Sequence, residues 1–193
     1  TNLFELKLKQ LKKTKNFKEI IVSSEDKKIL NFDKKKGFSI HLRDPYYSTS
    51  SVPMSEVYSY IGSSVKSDHV AWINVTNPLA ESKIYDKAVE LYKKNLKKYD
   101  CLLSAIEAKE NFFLKKKPLN FQRSPWPRSQ DLEPLISLPF VINILKKKDL
   151  VNWGSCVGKK PYFYLLDNIA ATDIDNEVQF KFAEFLYDKQ IKK

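Results

Sequence analysis

The chain has 193 residues and a mass of 22.5 kDa, with 34 basic side chains against 23 acidic ones and a formal net charge of +11. A chain of this length buries about 70% of its unfolded surface, so residues 1–193 are expected to form one domain with a real core. Apolar residues make up 42% of the sequence, no apolar run approaches the ~18 residues of a membrane span, and no charged-then-apolar leader opens the chain, so no membrane association is expected.

Leu3, Phe4, Leu8 and Leu11 space a first amphipathic helix from near Asn2, and Glu19 to Ser23 follows as a short buried strand. A second helix over Asp26 to Lys36 stops at Gly37, and Phe38 to Leu42 alternates as a second strand with Arg43 at its carboxyl end. The Ser-, Tyr- and Pro-rich stretch from Asp44 to Pro53 is a loop, and Met54, Val57, Tyr58 and Ile61 mark a third helix stopped by Gly62. His69 to Asn74 is a third strand. Ile84, Ala88, Leu91 and Tyr92 space a fourth helix, and Cys101 to Ile106 a fourth strand. This alternation predicts a three-layer α/β sandwich with a mainly parallel mixed sheet, whose ligands bind outside the carboxyl ends of the strands.

From Glu107 to Pro139 the rhythm breaks into an aromatic, proline-rich excursion, a dimerisation or lid element. Phe140 to Leu145 resumes as a strand, and Tyr162 to Leu166 is the last one. Then comes Thr172-Asp173-Ile174-Asp175-Asn176-Glu177, before Val178, Phe182, Phe185 and Leu186 at helical spacing. On an extended segment Asp173 and Asp175 share a face, roughly 7 Å apart, with Ile174 turned inward. Such a pair either binds a hard cation, typically magnesium with phosphate oxygens completing its shell, or caps the following helix.

The basic charge is almost all lysine, with only Arg43, Arg123 and Arg128 as arginines, so nucleic acid is not the expected partner. The triplets Lys34 to Lys36, Lys115 to Lys117 and Lys146 to Lys148 read as solvated faces. Cys101 and Cys156 lie outside any CxxC pattern, and His41 and His69 have no partner at ligand spacing, which excludes a zinc motif and fits free thiols in the cytoplasm.

With its elements placed, the chain resembles the acylneuraminate (sialic acid-type) cytidylyltransferases along nearly its whole length. Ile20 to Asp26 resembles that family's Ile-Val-Val-Ser-Thr-Asp-Asp strand and turn, and Leu42-Arg43 its Arg-Pro step. Ile73 to Leu79 is similar to its ligand loop, Pro127 to Leu132 to its Arg-Gln-Asp-Leu segment, and Asp173-Ile174-Asp175 with Phe180, Ala183 and Glu184 to its closing motif. The resemblance implies a nucleotide-diphospho-sugar transferase-like fold and CTP-dependent transfer of CMP to an acidic 2-keto sugar, with release of pyrophosphate. Separately, exposed Phe112, Phe113 and Trp126 on the excursion would form an apolar patch of the kind that marks interfaces, so a homodimer is expected in which the excursion of one subunit reaches the other. Carried over position by position, Asp173 and Asp175 would hold Mg2+, Asp175 also orienting the attacking hydroxyl. Arg43 would lie near the cytosine, Asn74 and Thr76 would face the ligand, Arg128 would clamp the sugar carboxylate, and Gln130 would stand beside it.

Blander readings accompany these roles: a surface ion pair of Arg43 with Asp44, and a subunit contact for Arg123 and Arg128. The chain also departs from the pattern. Asn74, Val75 and Asn77 replace a glutamine, a proline and a serine, and Leu138-Pro139 replaces an Asn-Gly turn. The family's first strand and phosphate-binding loop are missing before Asn2. The sequence therefore reads as an N-terminally shortened form of a longer product, with ~20 to 30 residues expected upstream, or else something other than that strand fills its slot. The alternative to an active enzyme is a degenerate homologue serving as a dimeric binding or scaffold module.

Overall fold

A computed structural model describes residues 2–35 and 37–191. The side chains of residues 32–35 and 190–191 are not described, so the reading of Lys34 to Lys36 as a solvated face lies outside the described residues. The elements run α1 (Leu3–Lys12), β1 (Ile21–Ser24), α2 (Lys27–Lys35), β2 (Ser39–Leu42), α3 (Met54–Ser64), β3 (His69–Trp72), α4 (Ser82–Asn95) and β4 (Cys101–Ala108). They continue as β5 (Phe113–Leu114), β6 (Lys117–Pro118), β7 (Leu135–Ser137), β8 (Asn143–Lys146), α5 (Lys147–Trp153), β9 (Pro161–Leu165) and α6 (Glu177–Ile191). Each predicted helix and strand is present within a few residues of its expected bounds. Gly62, read as a stop, instead lies inside α3, where Leu150 and Val151 of α5 pack so closely that a Cβ would meet them at 3.0–3.1 Å.

The layers are as predicted, but the sheet is not mainly parallel. In the main sheet β8 runs antiparallel to both β3 and β4, β7 is antiparallel to β4, and β9 alone is parallel to β4. The physical cause is the excursion. Parallel neighbours need a crossover that returns the chain to the starting edge, whereas residues 109–142 leave the carboxyl end of β4 and re-enter beside it from that same edge. β3 and β4, both opposed to β8, are parallel to each other and to β9, so the loops after β3 and β9 open on one edge.

β1 and β2 form a separate parallel pair. Among the described residues neither β1 nor β3 pairs with a strand on its other side. The pair is tied to the rest through side chains: Val22, Leu30 and Phe38 pack with Leu8 of α1, while Leu11 of the same helix joins the central cluster of Tyr85, Leu102 and Ile142. Ile20 touches both clusters. The opposite face of the main sheet is covered by Leu150, Cys156, Tyr58 and Trp153.

Two surface expectations change. Lys115 to Lys117 are exposed, but Lys147 is half-buried and donates from Nζ to the Val65 carbonyl at 3.1 Å. On α6, Val178, Phe182 and Phe185 face solvent, and Ala183 is the buried contact.

Candidate active site

The loop that follows β3 is anchored from both sides. Asn74 Oδ1 accepts from Trp72 Nε1 at 3.1 Å, and the Thr76 carbonyl accepts from the Ile174 amide at 3.0 Å. That second bond brings the Asn74–Thr76 loop against the Asp173–Asp175 loop, two segments nearly a hundred residues apart, on the common carboxyl edge of β3 and β9.

The aspartates are not on a strand, since β9 ends at Leu165 and a turn intervenes. The capping reading is also displaced. Asn176 Oδ1 accepts from the Gln179 amide at 3.0 Å, and Gln179 Oε1 accepts from the amides of Asn176 at 3.1 Å and Asp175 at 2.6 Å. This reciprocal capping box satisfies the start of α6 without a carboxylate. Asp173 Oδ1 accepts from the Ile174 amide at 3.1 Å, and the exposed Asp175 carboxylate has no hydrogen bond or ion pair among the described residues. An Asn-x-x-Gln spacing was visible in the sequence and would have identified the cap.

Among the described residues no three His, Cys, Asp or Glu side chains gather as a metal cluster. Two carboxylates still suit magnesium, which is commonly held by one or two carboxylates with substrate phosphates and water filling the octahedron. The free Asp175 carboxylate and the half-exposed Asp173 fit that donor set.

Arg43 sits elsewhere on the strand ends. Its amide donates to the Ser24 carbonyl at 2.9 Å, and its guanidinium reaches the Ser23 carbonyl at 3.3 Å and Glu25 at 3.5 Å, so its ion partner is Glu25 and not Asp44. Asp44 instead caps the short turn Pro45–Ser48 by accepting from the Tyr46 amide. The Glu25 carboxyl lies below its ordinary range, first through its own backbone amide, then the Ser48 hydroxyl and Arg43. Arg43 Nε is buried without a partner. Beside it Tyr47 stacks on Tyr60 with centroids 3.9 Å apart, and His41 lies 5.4 Å from Tyr60.

Arg128 is exposed on the excursion and forks onto Asp131, with Nε to Oδ2 at 2.6 Å and Nη2 to Oδ1 at 3.2 Å. The neighbouring Gln130 is exposed. The Arg128 guanidinium would have to leave Asp131 to meet a sugar carboxylate. A hollow of about 330 Å3 lies at the amino ends of β1 and β2, lined by Leu11, Phe17, Ile20 and Phe38, and another of about 290 Å3 is lined by Asp68, His69 and Lys146 to Lys148. Neither includes a residue of the aspartate loop. Cys101 and Cys156 are free and buried, and the Cys101 thiol is pushed up to about 12, chiefly by burial.

Sequence reasoning missed Lys7. It is 2% exposed, donates to the Asn77 carbonyl at 2.7 Å and to the Tyr85 hydroxyl, and is pulled down to about 7 by burial. A lysine on the buried stripe of α1, next to Leu8, was the only signal.

An α/β sandwich with loops gathered at the carboxyl edge of its strands defines a nucleotide-diphospho-sugar transferase-like fold, and solved structures share it. A CMP:2-keto-3-deoxy-manno-octonic acid synthetase complexed with CTP superposes with a TM-score of 0.67 at 8% identity, over 97% of this chain and 88% of that one. A 4-diphosphocytidyl-2C-methyl-D-erythritol synthase from Anaerococcus prevotii gives 0.65 at 13% identity, over 97% and 86%. The chain belongs to the cytidylyltransferase family, whose model matches residues 2–126, and with that family it is a CTP-dependent nucleotidyltransferase. It is also 26% identical over 200 residues to post-translational flagellin modification protein B of Campylobacter coli, spanning 92% of this chain and 80% of that protein.

Proposed function

We propose that the protein transfers CMP from CTP to an acidic 2-keto sugar and releases pyrophosphate. The observation that carries this reading is the Thr76–Ile174 bond, which sets the Asn74–Thr76 loop beside the loop that carries Asp173 and the Asp175 carboxylate, unpartnered among the described residues. A 2-keto acid in the name of the CTP-bound structural neighbour, and the ordered sequence motifs, support the choice of acceptor. In the reaction the acceptor hydroxyl oxygen bonds to the α-phosphorus, the bond to the pyrophosphate oxygen breaks, and the hydroxyl proton leaves toward Asp175 or solvent. Such chemistry is mostly positioning and charge neutralisation.

Asp173 and Asp175 are the residues that would hold magnesium, which when bound neutralises triphosphate charge. Arg43, with an unpartnered Nε and an aromatic wall beside it, meets the base. Asn74 and Thr76 line the nucleotide side, and Arg128 exchanges Asp131 for the sugar carboxylate, with Gln130 adjacent. The work takes place in the cytoplasm, in keeping with two free buried thiols. Pyrophosphate release, measured on the full encoded protein with CTP, magnesium and a panel of 2-keto sugar acids, is expected to require all three components. Turnover on none of these acids would remove the claim.

A second reading, a degenerate dimeric binding module, is favoured by the engagement of Arg128 with Asp131. Calorimetry silent toward CTP, beside an intact dimer, would establish it. Both readings share the homodimer. Phe113, Leu114 and Trp126 are 57%, 60% and 65% exposed on the excursion, where Phe121 holds Phe113 and Trp126 in one aromatic cluster. Apolar patches of this kind mark interfaces. Sedimentation at tens of micromolar is expected to give a mass of two chains, and a Trp126→Asp variant to shift it toward one; a wild-type monomer would refute the dimer.

A further inference from the structure

The geometry points to Asn77 as a positioning residue that sets the spacing between the Asn74–Thr76 loop and the aspartate loop. This rests on the reading above and adds a residue to it. Asn77 is completely buried and joins three segments that are remote in sequence. Its Nδ2 donates to the Pro139 carbonyl at 3.1 Å, on the returning arm of the excursion, and to the Thr172 carbonyl at 3.4 Å, one residue before Asp173. Its own carbonyl accepts from Lys7 on α1. The orientation of the amide is dictated by its neighbours. Both facing atoms are carbonyl oxygens, which only the nitrogen end can meet.

The price is Asn77 Oδ1, buried with no partner. A buried acceptor left unsatisfied asks for an explanation, and a serine could not supply one, because its single short hydroxyl cannot donate to both carbonyls. The Nδ2 bond to Thr172 and the Thr76–Ile174 bond fall on either side of Asp173 along the chain. Thr172 and Ile174 bracket Asp173, so the loop is pinned before and after that carboxylate. Lys7 of α1 holds Asn77 itself through the Asn77 carbonyl.

The test uses the full encoded protein. In Asn77→Leu, of similar volume but without donors, the Ile174 amide is expected to exchange with deuterium about tenfold faster, the scale of one lost hydrogen bond, while amides of β4 and β9 keep their protection. The magnesium concentration for half-maximal turnover is expected to rise about tenfold, with the maximal rate recovered at high magnesium to within a few-fold. Asn77→Ser serves if the leucine variant does not fold, with a smaller change in the same direction. Unchanged Ile174 exchange, or protection lost equally across β4 and β9, would overturn the role. Wild-type protein that turns over no acceptor would instead overturn the reading beneath it, while the exchange measurement would still decide whether Asn77 pins the loop.

Discussion

Asp175→Asn is expected to lower the turnover number by about 10³-fold with CTP and the preferred sugar acid, with the protein still folded. The side chain makes no hydrogen bond or ion pair among the described residues, so its removal leaves no broken contact. If Asp175 holds the cation as proposed, neutralising it would remove several kcal/mol of charge stabilisation, and each ~1.4 kcal/mol is a factor of ten in rate. Thermal unfolding within ~1 kcal/mol of wild type, beside the lost rate, is the required pair of results. Rate and stability both unchanged would place the chemistry elsewhere. Asp173→Asn is expected to act in the same direction with an added cost in loop order, since Asp173 Oδ1 also holds the Ile174 amide.

The second large effect concerns stability. Lys7 in the folded protein lies near 7 where an exposed lysine lies at 10.5, because burial disfavours its charged form. Between those values the unfolded chain binds the extra proton and the folded chain does not, so this group makes stability rise with pH from about 7 toward 10.5 and weigh against folding most fully below 7. Lys7→Met removes that slope. Relative to wild type, the variant is expected to be more favoured at pH 6 than at pH 9.5 by ~3 kcal/mol, read from urea midpoints at the two pH values. Its absolute gain is smaller, because the Tyr85 hydroxyl and Asn77 carbonyl lose their donor. A pH-independent difference between the two proteins would show that the lysine is not desolvated.

How far the fold could be read in advance varied by element for identifiable reasons. β4 and α4 were plain, because Cys101 to Ile106 is an apolar run interrupted only by Ser104 and Ile84, Ala88 and Leu91 recur at helical spacing. The direction of β8 was not, since Asn143 to Lys146 has the same pattern whichever way it runs, and the path of the excursion decides it. Gly62 looked like a helix stop and is instead a contact point, a distinction that rests on Leu150 arriving from α5. Asp173 and Asp175 lie in a loop and not at a strand end because Asp167 to Ala171 closes a turn first, with the Ala171 amide on the Asp167 carbonyl at 3.0 Å.

The order of residue types along the chain determined the layered α/β architecture, the placement of polar residues just after strands, and the family, because apolar periodicity and turn chemistry are local properties. It also singled out the acidic pair. Tertiary structure alone decided which of these residues meet: that Thr76 bonds Ile174, that Asn77 reaches the Pro139 and Thr172 carbonyls, and that Lys7 is buried against a carbonyl 70 residues away. Those outcomes depend on distances between segments remote in sequence, and a lysine or an asparagine has the same local signature whether it faces water or is closed inside the protein.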